Sequence, residues 1–281
     1  AFLKEGSRAE ESAFSFIYGC MRILSGRYET VLVTALVKGS ENPDNDPITS
    51  FYGDPFYLRP VGVNESVVAA MQMRQYLERY GVTEEQCAKV AVKNLGNALF
   101  NPYADRKRRV SLEDVMASER VYDPLKALEC APKSDGVVAV LLASEERAKT
   151  LSKKPVWLSG YGCSMDHFHP GDRDLLKGQL PAAAQRAYNM AGIDEPGKQI
   201  DVAEVCEPYA FQELLWCEHL GFCGEGQGGR WIDSGVPLMD GALPVNPSGG
   251  VLATNPYPAR GLSRIAEAAL QLKGEAGEHQ V

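Results

Sequence analysis

Two runs of branched aliphatic residues, Thr30-Val31-Leu32-Val33-Thr34-Ala35-Leu36-Val37 and Val137-Val138-Ala139-Val140-Leu141-Leu142, stand on either side of a long polar stretch. The first is continuous and β-branched, which predicts a strand buried on both faces. It is fed by Ser12 to Leu24, where Phe14, Ile17, Met21 and Leu24 fall at helical spacing before the stop at Gly26. Pro155-Val156-Trp157-Leu158-Ser159-Gly160 and Ile200-Asp201-Val202-Ala203-Glu204-Val205 read as further strands. Helices alternating with such runs make the chain α/β.

The stretch between the first two runs reads differently. From Glu41 to Leu58 it is rich in Pro, Asp, Asn and aromatic residues, the mark of an ordered excursion rather than sheet. Val67 to Tyr80 and Thr83 to Leu99 then predict helices, the second with Thr83 as N-cap and Glu85-Gln86 in its first turn. Ser111 begins another short helix. Further on, Leu180 to Met190 presents a thin alanine face and closes at Gly192, Phe211 to Leu220 follows, and Arg260 to Gly274 is an alanine-rich final helix. Gly224-Glu225-Gly226-Gln227-Gly228-Gly229 is not framed by a strand and a helix, so it reads as a mobile connection rather than a phosphate loop.

With 281 residues the chain is long enough for one large core or two similar halves. A net charge of -8 and a pI near 5.2 exclude a nucleic acid as the main partner, which would need a cationic face. The run Arg106-Lys107-Arg108-Arg109 reads as a solvated face. No apolar stretch approaches the ~20 residues that span a bilayer. The opening residues lack the blocks of a signal peptide, so a cytoplasmic location is expected. Seven scattered cysteines without a C-x-x-C pair read as free thiols in a reducing compartment, not as a zinc site.

Several motifs occur in a recognisable order: Ser111-Leu112-Glu113-Asp114-Val115-Met116-Ala117-Ser118, Cys130-Ala131-Pro132-Lys133-Ser134-Asp135-Gly136, Leu220-Gly221-Phe222-Cys223-Gly224-Glu225-Gly226, Asn246-Pro247-Ser248-Gly249-Gly250 and Leu270-Gln271-Leu272-Lys273-Gly274-Glu275-Ala276-Gly277. With them the chain resembles the sterol-carrier-protein-x branch of the thiolase superfamily, and most of all the thiolase-like steroid side-chain aldolases. The resemblance implies two similar α/β halves in five layers (αβαβα): residues 1–40 and 134–160 would belong to the first half, 41–133 to a helical loop domain, and 161–281 to the second half. It is incomplete at both ends, where the family has further strands. It implies a homodimer core, a small OB-fold partner protein in a heterotetramer, and coenzyme A as part of the substrate with no bound cofactor and no metal. The turn Ser248, Gly249, Gly250 is the place it gives to the coenzyme A moiety.

Departures from the family pattern carry the chemistry. Where a thiolase has its nucleophilic cysteine the chain has Ala9, and the nearest thiol, Cys20, is midway along the helix. Cys206 stands where an oxyanion-hole imidazole would be, and a thiol is a weak donor. Asn255 stands where the activating histidine would be, and an amide cannot take a proton. Tyr209 and Tyr257 enter the two motifs that lost histidines. A phenol can donate to an oxyanion or exchange a proton, although at a pKa of ~10 only about a thousandth is phenolate at neutral pH. Glu207 is a rival base, because a desolvated carboxyl can be raised toward neutral pH. Asp166-His167-Phe168-His169 reads as a surface turn with no third metal ligand.

This inventory suits retro-aldol cleavage of a β-hydroxyacyl-CoA, which needs no acyl-enzyme. The expected substrate is a steroid side-chain thioester, giving a ketone and a short acyl-CoA such as propanoyl-CoA. A thiolase of the sterol-carrier type, or a non-catalytic subunit that binds acyl-CoA or sterol, are the alternatives.

Overall fold

A computed structural model describes residues 11–41, 49–51, 53–167 and 169–281. Helix α1 (Ser12–Leu24) and strand β1 (Thr30–Lys38) form where the spacing predicts them. Helices α2 (Glu65–Tyr80), α3 (Glu84–Asn97) and α4 (Leu112–Ala117) follow. Each starts on a local cap: Asn64 accepts from Val67 N, and Thr83 with Gln86 and Ser111 with Asp114 build reciprocal capping boxes. A small hairpin, β2 (Arg120–Tyr122) with β3 (Leu125–Lys126), leads to β4 (Asp135–Ala143) and α5 (Glu145–Leu151). The second part holds α6 (Leu180–Ala191), α7 (Pro196–Gln199), α8 (Ala210–His219), α9 (Gly228–Asp233), α10 (Gly250–Ala253) and α11 (Arg260–Lys273).

Strand β1 pairs antiparallel with β4, from Thr30 opposite Ala143 to Lys38 opposite Asp135. Helices α1 and α11 cover one face of this ribbon through Phe16, Cys20, Val33 and Leu262. At Gly19 the helix comes so close that an added Cβ would meet Leu142 and Val33 at 2.8 Å. The other face is open. Leu32, Leu36, Val137 and Leu141 are 63%, 75%, 72% and 59% exposed, so β1 is buried on one face and not on both as its composition predicts.

The expected strands at 155–160 and 200–205 do not form among the described residues. Residues 155–160 run without ladder partners, and of the second only Ala203 makes an isolated parallel bridge, to Val245. A strand exists only through its neighbour's hydrogen bonds, and β-propensity alone does not supply one.

The main core crosses the expected boundary between loop domain and second half. Met73, Tyr76, Cys87, Val90, Leu95 and Val115 share one cluster with Tyr209, Phe211, Leu214, Leu215, Ile232 and Leu252. The glycine-rich loop is anchored rather than mobile. Gly226 N and Gly228 N donate to Glu218 at 2.7 and 2.8 Å, Tyr76 donates to the same carboxylate, and Tyr80 donates to Glu225 at 2.6 Å. Phe211 is fully buried where these helices meet. Phe211→Ala is expected to cost about 3–5 kcal/mol, read as a lowered urea midpoint.

Candidate functional site

A cleft of about 800 Å³ opens between α1, α2, the 162–180 segment and the start of α8. That volume suits a small-molecule ligand. Tyr209, Gln212 and Trp216 face it from α8 at i, i+3 and i+7, the spacing of one helix face. Tyr257 and Arg260 enter from the turn leading into α11, and Glu11 and Glu65 from the starts of α1 and α2. The cleft therefore joins the two tyrosines singled out by the sequence.

Tyr209 is the N-cap residue of α8 and 6% exposed, and its hydroxyl shares a 2.9 Å hydrogen bond with Ser66 on α2. The Tyr257 ring lies under the Arg260 guanidinium, 4.6 Å from centroid to carbon. Burial works against the Arg260 charge, but Cys206, Glu65, Glu11 and Tyr257 together hold its pKa above the ordinary value. Arg260 Nε donates to Glu11 Oε2 at 3.4 Å, and Glu11 Oε1 accepts from Gly261 N at 2.9 Å. Glu11 thus staples the start of α1 to the start of α11.

The other candidate residues sit behind the cleft and do not line it. Glu207 is fully buried; its Oε1 accepts from Asn94 at 3.0 Å and from Leu252 N at 3.2 Å. Burial first, and the neighbouring Glu213 second, push its carboxyl up to about 8. Glu213 is held by Lys93 at 3.0 Å and by the amides of Asn94 and Asn246, each at 2.8 Å. The Cys206 thiol is pushed up to about 12 by burial, and its carbonyl accepts from Trp216 Nε1 at 3.2 Å. Asn255 is buried; its N–H donates to Ser134 Oγ at 3.1 Å and its carbonyl accepts from Tyr257 N at 2.9 Å. Its backbone braces the turn that presents Tyr257, while its side-chain Oδ1 is buried without a hydrogen-bond partner among the described residues and does not line the cleft.

The turn given to coenzyme A is also turned inward. Ser248 N and Oγ donate to Glu204 at 3.0 and 2.7 Å, the Ser248 carbonyl accepts from Asn101, and Arg264 pairs with Glu204 at 2.5 Å. Gly249 has φ 98°, and an added Cβ would stand 2.8 Å from Ala98; at Gly250 it would stand 2.1 Å from Glu207 Oε1. The glycines serve this close packing. Ala9, the place of a thiolase nucleophile, and Phe168 lie outside the described residues. Asp166 lines the cleft and pairs with Arg173 at 3.4 Å. Cys163 also lines it, as an exposed thiol. Among the described residues no group of His, Cys, Asp and Glu has the arrangement of a metal site.

Sequence reasoning missed Arg260, Glu11, Glu65, Gln212 and Trp216. The helical spacing from Tyr209 through Gln212 to Trp216 was the one signal available for the last two.

The family described as "Thiolase C-terminal domain-like" matches residues 162–281. An acetyl-CoA acetyltransferase of Methanothermobacter thermautotrophicus is 36% identical over 266 residues, covering 94% of this chain and 69% of that protein. Sterol carrier protein 2 of Bos taurus is 34% identical over 232 residues, 78% of this chain and 42% of that protein. The chain thus spans about two fifths of the sterol carrier relative. Among solved structures, an Ltp2-ChsH2(DUF35) aldolase superposes with a TM-score of 0.85 at 28% identity, over 96% of this chain and 72% of that one. The chain belongs to the thiolase superfamily and has its α/β fold. Within it the kinship is with the sterol-carrier type and with the aldolase-like members.

The Glu207 carboxyl generates a pH prediction. An acid whose pKa is higher folded than unfolded binds its proton more tightly when folded, so it removes stability as pH rises from about 4.5 through about 8. Glu207→Gln, which keeps an acceptor for Leu252 N, should flatten that fall. Urea midpoints from pH 5 to 9 should decline less in the variant, with a difference on the order of a few kcal/mol at the alkaline end.

Proposed function

We propose that the protein is a carbon–carbon lyase that cleaves a β-hydroxyacyl-CoA by retro-aldol chemistry. The observation that carries this reading is the meeting of Tyr209 and Tyr257 on one cleft. The state of the cysteines agrees with it: burial raises the thiol pKa of Cys20, Cys87, Cys206, Cys217 and Cys223, which disfavours thiolate formation.

In the proposed reaction Tyr257 acts as its phenolate, the minor form at neutral pH, which takes the β-hydroxyl proton as the C–O bond becomes a carbonyl. The Cα–Cβ electron pair moves onto the thioester as an enolate, which Tyr209 stabilises by donating a hydrogen bond. The proton that Tyr257 took then passes to Cα, which completes a short acyl-CoA and restores the phenolate, and the ketone leaves. The substrate proposed is a steroid side-chain thioester with propanoyl-CoA as one product. The likeness to a solved Ltp2-ChsH2(DUF35) aldolase supports a second subunit here; we propose that this subunit has an OB fold and sits on a homodimer core. We place the complex in the cytoplasm; no helix among the described residues is long and apolar enough to cross a membrane.

The test combines the chain and a DUF35-type partner with a β-hydroxy steroid acyl-CoA, following ketone and short acyl-CoA by mass spectrometry. A Cys163→Ser background is used because that exposed thiol lines the cleft and its alkylation would fill it. Cleavage should survive iodoacetamide and fall at least about 100-fold in Tyr257→Phe and in Tyr209→Phe. Absence of cleavage, with CoA-dependent thiolysis of a β-ketoacyl-CoA, would return the chain to the acyltransferases; the 36% identity to an acetyl-CoA acetyltransferase is the observation on that side.

A further inference from the structure

Arg260 opens α11 and lines the cleft, with its side chain only 15% exposed. A guanidinium carries five N–H donors and loses much free energy when buried without acceptors. Among the described residues Arg260 donates one hydrogen bond, the 3.4 Å contact from Nε to Glu11, and Glu65 stands 3.8 Å from Nη2. Arg264, one turn further along the same helix, shows the contrast: its Nη1 meets Glu204 at 2.5 Å and also donates to Ser248. Arg264 spends its Nη1 on Glu204 and Ser248 and keeps its Nε buried away from the cleft, whereas Arg260 is steered by two carboxylates at distances that leave its terminal nitrogens unspent on the cleft side. They lie beside the Tyr257 ring.

We propose that Arg260 is a catalytic residue that binds the substrate's thioester oxygen and stabilises the enolate formed when the Cα–Cβ bond breaks. The assignment rests on the acyl-CoA lyase reading above. A neutral carbonyl gains little from a nearby cation, whereas an enolate oxygen carries a full charge beside a guanidinium that is itself mostly withdrawn from water. The contact therefore strengthens along the reaction, which is the condition for lowering a barrier. It also answers what Cys206 cannot do: a thiol is a poor donor, and Arg260 brings charged donors to the neighbouring loop. Glu11 and Glu65 act as positioning residues that keep the fork aimed.

The test isolates enolate formation from cleavage. The chain and its DUF35-type partner are incubated with propanoyl-CoA in deuterium oxide, and exchange at Cα is followed by mass spectrometry. Binding of S-propyl-CoA, a thioether without the carbonyl, is measured alongside. Arg260→Met should slow exchange about 100-fold or more, and Arg260→Lys, which keeps the charge without the planar fork, should recover part of it. Thioether affinity should stay within about twofold in both variants, since the lost contact is to the absent oxygen. Exchange in Arg260→Met within a few-fold of the parent would overturn the assignment, as would a parallel loss of thioether binding, which marks a packing role. Exchange that depends on Arg260 without any ketone release from the steroid substrate would discard the lyase and keep the enolate assignment. Cleavage undiminished in Arg260→Met would discard the assignment and keep the lyase.

Discussion

The ion pair between Lys93 and Glu213, sealed from water, is the constraint on which the rest of the site depends. Lys93 also donates to Asn94 and to the Val245 carbonyl, while Asn94 bridges Glu213 and Glu207. Helix α3, helix α8 and the 245–252 turn are thereby fixed to one point. A buried ion pair contributes little net stability over an apolar replacement, yet removing one partner is costly. Its value here is register. Tyr209 heads α8 and Tyr257 follows the 245–252 turn, so both phenols inherit their positions from charges that never meet a ligand.

The way the fold was legible follows from the range of each interaction. Helix limits were readable because caps are local: Thr83 with Gln86, Ser111 with Asp114, and the left-handed glycines at 192 and 274. Strands were readable only where a partner exists. The run at 155–160 has the composition of a strand and no neighbour to bond, and Leu32 and Leu36 are apolar without being covered. The loop-domain boundary drawn at residue 133 was invisible to packing, because Met73 and Val90 share a core with Phe211 and Leu252 across more than a hundred residues of chain.

The site divides the same way. Tyr209 and Tyr257 could be singled out because they occupy motifs whose order is itself information. Glu207, Asn255 and the Ser248–Gly250 turn belong to those motifs too, but they face inward, and no one-dimensional pattern distinguishes the side of a turn that packs from the side that lines a cleft. Arg260 gave no signal, since an arginine at a helix start ordinarily reads as solvated charge. Only the folded arrangement reveals that its carboxylate neighbours come from α1 and α2.

The ribbon of β1 and β4 has consequences outside catalysis. Two strands paired only to each other leave an unpaired backbone edge on each side among the described residues, and here the open face between those edges is apolar. Such a surface is adhesive: it offers both a template for added strands and a hydrophobic patch to hold them. The ribbon face that seats α1, and with it Glu11 at the cleft, is thus backed by an opposite face whose apolar surface favours a covering layer.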